Sequence, residues 1–173
     1  MKRLQILIIV MVGLLATATV AKADQIRALL TGYEETPAAV STTGRGLFSA
    51  TIDPDGDAIN YRLTFNALQA AVTQSHIHVG QLSITGSIVI FLCQTASNPD
   101  PTGLAPQCPQ EGTVSGTIRA ANVIAGSQAT QQLAAGDLAA VITAIRAGAA
   151  YANVHTQVSP GGEIRGQIRT VGK

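Results

Sequence analysis

The chain holds three histidines, His76, His78 and His155, and their spacing is where chemistry would start. His76 and His78 stand two residues apart, so on a strand their rings leave one face with Cα atoms about 7 Å apart, a spacing that permits a chelating pair. His155 belongs to the segment 151–169, YANVHTQVSPGGEIRGQIR, in which two alternating runs flank Ser159-Pro160-Gly161-Gly162. Proline's fixed φ and glycine's freedom suit that cluster to a chain reversal, and the segment reads as a β-hairpin. Side chains alternate across a strand, so Asn153 and His155 share a side on the first arm. Glu163, Arg165 and Gln167 share a side on the second, and Val154, Ile164 and Ile168 are left for the core.

Three chemistries compete for this polar face. If the strand of His155 neighbours that of His76 and His78, three imidazoles could hold one copper or zinc ion, with Glu163 as a fourth ligand or an outer acceptor that fixes a ring tautomer. Alternatively the same groups form a hydrogen-bonded cluster that ties the strands together, with Glu163 paired to Arg165; this is the favoured expectation, and it needs no cofactor. A guanidinium on the face also disfavours a divalent cation unless Glu163 neutralises it. Acid/base catalysis is the third reading, and the inventory argues against it. A dinuclear copper/zinc site needs more imidazoles than the chain owns, and Ser75 lies on the opposite side of the strand from His76. No phosphate-cradling glycine loop and no partnered cysteine nucleophile is visible, so no catalytic residue is assigned.

The elements that must position these residues follow from periodicity. Residues 25–30 read as a short strand. Gly44 to Ile52 alternates with Phe48, Ala50 and Ile52 on one side, and Ile59, Tyr61, Leu63 and Phe65 alternate with Asn60, Arg62, Thr64 and Asn66. Asp53-Pro54-Asp55-Gly56-Asp57 joins these two strands as a solvated turn; its glycine and Thr64 stand where a calcium loop would need other residues. Residues 72–79, 87–92 and 113–119 continue as strands. Leu138, Val141, Ile142 and Ile145 fall at helical spacing, with Asp137 as N-cap and Gly148 just past the end, and predict one short helix. About eight strands and one helix imply an all-β protein, an antiparallel Greek-key sandwich or barrel.

Composition bounds the address and the partners. Met1-Lys2-Arg3, the apolar run 6–16 and Ala21-Lys22-Ala23 have the make-up of a secretory signal, with the mature chain starting near Asp24. The apolar run is shorter than a spanning helix needs, so no stable membrane span is expected after cleavage. Taking Lys2, Arg3 and Lys22 from a net charge of +1 leaves about −2, too weak a field to draw nucleic acid or an anionic membrane. No tryptophan is present and aromatics are few, so stacking platforms for sugars or bases are nearly absent. Cys93 and Cys108 are the only cysteines, and in an exported chain they read as one disulfide stapling the proline-rich loop 94–107.

Glu35-Thr36-Pro37, His76-Ile77-His78-Val79-Gly80, Tyr151-x-Asn153-Val154-His155-Thr156 and Pro160-Gly161-Gly162-Glu163-Ile164-Arg165-Gly166-Gln167, in this order, give the sequence its resemblance to the CHRD domain, the module named after chordin. The resemblance spans nearly all of the mature chain. With the signal peptide read above over 1–23, it implies a single CHRD-like domain over 24–173. It also implies an extracytoplasmic β-sandwich with the general shape of immunoglobulin-like and copper/zinc superoxide dismutase sandwiches, and it marks Glu35 as a motif residue. The expected function is a non-catalytic, exported binding or structural module, periplasmic or secreted, whose partner is another extracytoplasmic protein. The alternative is a mononuclear copper or zinc protein built on His76, His78 and His155. The chain departs from the commoner pattern in having one proline after Glu35 and a long cysteine-closed insertion after Leu92.

Overall fold

The computed structural model describes residues 22–172. The stretch expected to be a secretory signal therefore lies outside the described residues, apart from its last two positions. Nine strands and one α-helix follow in chain order: β1 (Asp24–Thr31), β2 (Arg45–Ile52), β3 (Ile59–Asn66), β4 (Val72–Val79), β5 (Ser87–Cys93), β6 (Gly112–Ile118), α1 (Leu138–Arg146), β7 (Ala150–Thr156), β8 (Ile164–Gln167) and β9 (Arg169–Thr170). All the paired strands are antiparallel, in the spatial order β5-β4-β7-β8-β1-β2-β3-β6, with β9 beside β1. The eight main strands curl into a nearly closed barrel or sandwich, as the alternation predicts. Tyr61 of β3 reaches across the interior to donate to the Leu92 carbonyl of β5 at 2.6 Å. Burial raises the pKa of this phenol.

The hairpin β2–β3 is built as its sequence suggests. Asp53 N–H donates to the Ala58 carbonyl and Gly56 N–H to the Asp53 carbonyl, with Gly56 at φ 72°. That left-handed conformation is one glycine adopts without steric cost. Asp53 accepts from Asn60 at 3.1 Å and Asp57 faces Arg119 at 3.6 Å, so the turn is held by its own neighbours. Phe48, Ala50, Ile52, Ile59, Leu63 and Phe65 point inward, where they join Ile77, Ile90, Leu92, Val154, Ile164 and Ile168 in one aliphatic cluster. The helix adds Leu138, Val141, Ile142 and Ile145 to that cluster. Its Asp137 side chain accepts from Ala140 N–H at 2.9 Å, and Gly148 leaves it at φ 70°.

Cys93 and Cys108 form the expected disulfide. The loop it closes is irregular but ordered from within. The Asp100 carboxylate collects the Thr102 N–H and hydroxyl and the N–H groups of Leu104 and Ala105, and Gln94 and Gln107 form an isolated bridge. β8 lies tight against β1 because Gly166 has no side chain: a Cβ there would stand 2.1 Å from the Leu29 carbonyl oxygen. This contact brings the C-terminal hairpin into the middle of the sheet, between β4 and β1.

Candidate functional site

Strand pairing decides which groups meet. β7 lies between β4 and β8, with Asn153 opposite His76 on one side and Arg165 on the other, and Tyr151 opposite both His78 and Gln167. His76, His78, Tyr151, Asn153, Arg165 and Gln167 therefore leave one face of three adjacent strands, and His155 joins them through a hydrogen bond to His76. The alternation expected from sequence holds for all of these. The face is not open, however. Every residue of β7 and β8 is buried, and His76 and Arg165 are only 0% and 1% exposed. Phe91 of β5 covers His76 edge-on, with ring centroids 4.3 Å apart, and the loops after β1, β4 and β7 supply the other contacts of the face.

The histidines form a chain with definite proton positions. His155 Nδ1–H donates to the Pro160 carbonyl at 2.9 Å, which leaves its Nε2 as an acceptor for His76 Nδ1–H at 3.1 Å. His76 Nε2 is then a bare lone pair in the interior with no hydrogen-bond partner. His78 Nδ1–H donates to the Gly86 carbonyl at 3.0 Å, and its Nε2 meets the Asn153 side-chain amide at 3.1 Å. A neutral His78 needs that amide turned so that its NH₂ donates. Burial keeps all three rings neutral: it lowers His78 to about 4, His76 well below the ordinary histidine value, and His155 in the same direction. The repulsion each ring would feel from a charged neighbour adds to the effect for His76 and His78.

Arg165 is the fixed charge of the face. Its guanidinium carbon stands 3.5 Å from the centre of the Tyr151 ring, which in turn stacks on His78 with centroids 4.6 Å apart and planes 8° apart. Its nitrogens donate to the Thr36 hydroxyl at 2.6 Å and to the carbonyls of Gln81 and Ile84 at 3.2 and 3.0 Å. Gln167 donates to the carbonyls of Gly80 and Gly148. Glu35 lies over the terminal hairpin: a Cβ on Gly162, which has φ 130°, would meet its carboxylate. Burial pushes Glu35 up to about 7, with Arg165 opposing the shift, and its Oε1 has no partner.

The expected pairing of Glu163 with Arg165 is absent. Glu163 accepts instead from the Thr42 hydroxyl at 2.6 Å, the Gln69 N–H at 2.9 Å and the Thr156 hydroxyl at 2.7 Å. β8 begins one residue later, at Ile164, and the turn residue Gly162 departs from strand geometry, so the alternation that would carry Glu163 to the histidines does not reach it. With its oxygens so occupied, Glu163 is not placed to ligate a metal beside them. Tyr151 was legible by the same alternation that gave Asn153 and His155, whereas Phe91, Thr36, Thr42 and Gln69 come from loops and a neighbouring strand that carry no local signal.

His76, His78 and His155 present one nitrogen each with all three within 4.8 Å of one another. Ligands on a tetrahedral metal at about 2.0–2.1 Å stand roughly 3.4 Å apart, so the rings would have to close in around an ion. The donor type suits copper or zinc, since the imidazoles are neutral.

No helix among the described residues is long and apolar enough to cross a membrane. No curated protein and no solved structure matches the chain. The family model of the CHRD domain matches residues 26–168, from the first residues of β1 to the end of the terminal hairpin, and the chain belongs to the CHRD domain family.

Proposed function

We propose that the chain is a non-catalytic, exported binding or structural module, formed by a single domain over 24–173, whose histidine face is a clasp locking β4, β7 and β8 together and whose partner is another extracytoplasmic protein. The disulfide is consistent with an oxidising compartment outside the cytoplasm. One observation carries the reading: the three histidines and Arg165 are sealed in, and each is tied by at least one hydrogen bond within the fold, which favours a structural role for the face over a reactive one. Buried polar networks of this kind rigidify the strands they join.

A second reading, a mononuclear copper or zinc protein, is favoured by a specific atom. The His76 Nε2 lone pair is buried and unpartnered among three neutral imidazoles, and a metal ion would use it. Against this reading stand the wide spacing of the rings, the absence of a carboxylate ligand and the nearby Arg165 charge. Calorimetric titration of tag-free protein with Cu(II) and Zn(II) near pH 7.5 separates the two. The clasp predicts no stoichiometric uptake and no rise in melting temperature with either ion. One equivalent bound by the parent and lost in both His76→Ala and His155→Ala would replace the clasp with the metal centre.

A further inference from the structure

The outer face of β1, β2 and β3, away from the histidines, has a charge pattern that the fold does not need. Strand register sets its side chains in rows: Arg27, Ser49 and Arg62; then Leu29, Leu47 and Thr64; then Thr31, Arg45 and Asn66. β9 places Arg169 directly opposite Arg27. No aspartate or glutamate occupies these rows, although acids outnumber bases from residue 24 onward. Among the described residues the ion pairs are Arg119–Asp57 and Arg146–Asp24, and neither involves these exposed arginines. Like charges in register across a strand pair repel, so Arg27 and Arg169 raise the positive potential at this edge, although the Arg169 guanidinium itself reaches toward Gly148 at the end of α1.

Between the two charged rows runs an apolar strip. Leu29 and Leu47 are direct cross-strand partners, 64% and 39% exposed, and Tyr33 beyond them is 72% exposed. With Thr42, Thr43, Arg45 and Asn66 they line a groove of about 640 Å³, a size typical of small-molecule sites. Among the described residues the only hydrogen bond of the Arg45 side chain is from Nε–H to the Thr43 carbonyl at 3.4 Å, which leaves its terminal nitrogens for a ligand. The strip is a single row deep along the strands, where successive outward rows stand about 6.7 Å apart, and polar rows bound it on both sides. That width fits a single hydrocarbon chain. It is too narrow for the apolar centre of a protein interface, and its concavity does not suit insertion into a bilayer.

We infer that this groove binds a small anionic amphiphile, with one acyl chain over Leu29, Leu47 and the Tyr33 ring and its carboxylate at Arg45, Thr43 and Asn66. Arg27 and Arg62 in the flanking row add to the field that draws the anion. The site gives the binding module a ligand class without using the histidine face, so it stands whichever reading of that face holds.

Laurate below its critical micelle concentration is the probe, titrated into tag-free protein at low ionic strength. The expected result is saturable one-to-one uptake, abolished by Leu47→Asp and weakened about fivefold by Arg45→Gln, the upper size of one exposed ion pair. Arg119→Gln, whose charge lies elsewhere, leaves it unchanged. Leu29→Asp repeats the apolar test, and thermal melts of the variants show that each is folded. Absence of saturable uptake overturns the inference, as does uptake indifferent to the groove variants. Equal binding of dodecyl maltoside would remove the role of charge. Sedimentation with phosphatidylglycerol vesicles without binding of monomeric laurate would make the face a membrane contact instead.

Discussion

The two halves of the sheet treat polar residues in opposite ways. On β1, β2 and β3 the outward side chains, Arg27, Ser49, Arg62 and Thr64 among them, meet solvent, and the alternation is a plain division between core and water. On β4, β7 and β8 the same alternation divides an aliphatic core from a polar interior roofed by loops. A one-sided strand tolerates charge on its free face with little energetic consequence, whereas a strand buried on both faces must satisfy every donor and acceptor it carries. The difference shows that period-two patterning reports which side a residue takes, and that burial of that side is decided by distant segments.

The largest test of this contrast compares the faces of one strand. Ile77→Asp places an unpaired carboxylate in the aliphatic core, where Ile77 is fully buried, and should cost about 4 kcal/mol or more, enough to abolish a cooperative melt. His78→Ala removes one stacking partner and two hydrogen bonds and should cost about 2 kcal/mol. Arg62→Gln on the open face should move stability by less than about 0.5 kcal/mol. Thermal and denaturant melts rank the three; if His78→Ala proves worse than Ile77→Asp, the polar interior and not the aliphatic side is the dominant core of β4.

This ranking also marks what could be read from the chain alone. Alternation placed Val154, Ile164 and Ile168 inward and set His76 with His78 on one face and Arg165 with Gln167 on another, because these depend only on parity; that β4 and β8 both flank β7 and bring those faces together is a matter of strand pairing. The helix was legible from Asp137 and the four apolar residues it precedes. Sealing of the polar face was not, because it depends on Phe91, Thr36, Pro160 and the 80–86 backbone, which approach from other strands and loops. The partners of Glu163 were hidden for the same reason: Thr42 and Gln69 lie about a hundred residues away in a chain with no local signal linking them.

Acid should distinguish the two halves next, since the buried one carries the histidines, whose pKa values burial lowers. His78 has a folded value of about 4, below the 6.5 of the unfolded chain, and His76 and His155 shift the same way. The unfolded chain therefore takes up protons first, so the stability these rings contribute is complete above pH 6.5 and is lost as pH falls toward 4. For His78 alone the swing is about 3 kcal/mol. Glu35 runs the other way: with a folded value of about 7 against 4.5, its contribution is complete below pH 4.5 and is lost as pH rises through 7. Melting temperature against pH should thus fall on the acid side, an effect reduced in His78→Gln, while the Glu35 contribution declines between about pH 4.5 and 7 and partly offsets the histidines there, so Glu35→Gln should steepen the rise of melting temperature over that range. A flat acid limb in the parent would mean that water reaches the face and the rings titrate freely.

The smallest effect belongs to the open face and sharpens the contrast most. Arg27 and Arg169 stand directly opposite each other with water on one side, so their repulsion is a surface term of a few tenths of a kcal/mol, not the several that a buried charge would cost. Arg27→Gln should therefore stabilise the protein slightly at low ionic strength. The gain should vanish near 1 M salt, where the screening length drops to about 3 Å, shorter than the gap between strands. Arg62→Gln is the control, because Arg62 faces Ser49 and Ser115 and no second cation. Denaturant melts of both variants at two salt concentrations give the answer. A gain from Arg27→Gln that survives high salt would show that the guanidinium is strained by packing, and the open face would then share the buried face's dependence on fit; a loss at low salt would show that an anion or a neighbouring carbonyl already holds the pair together.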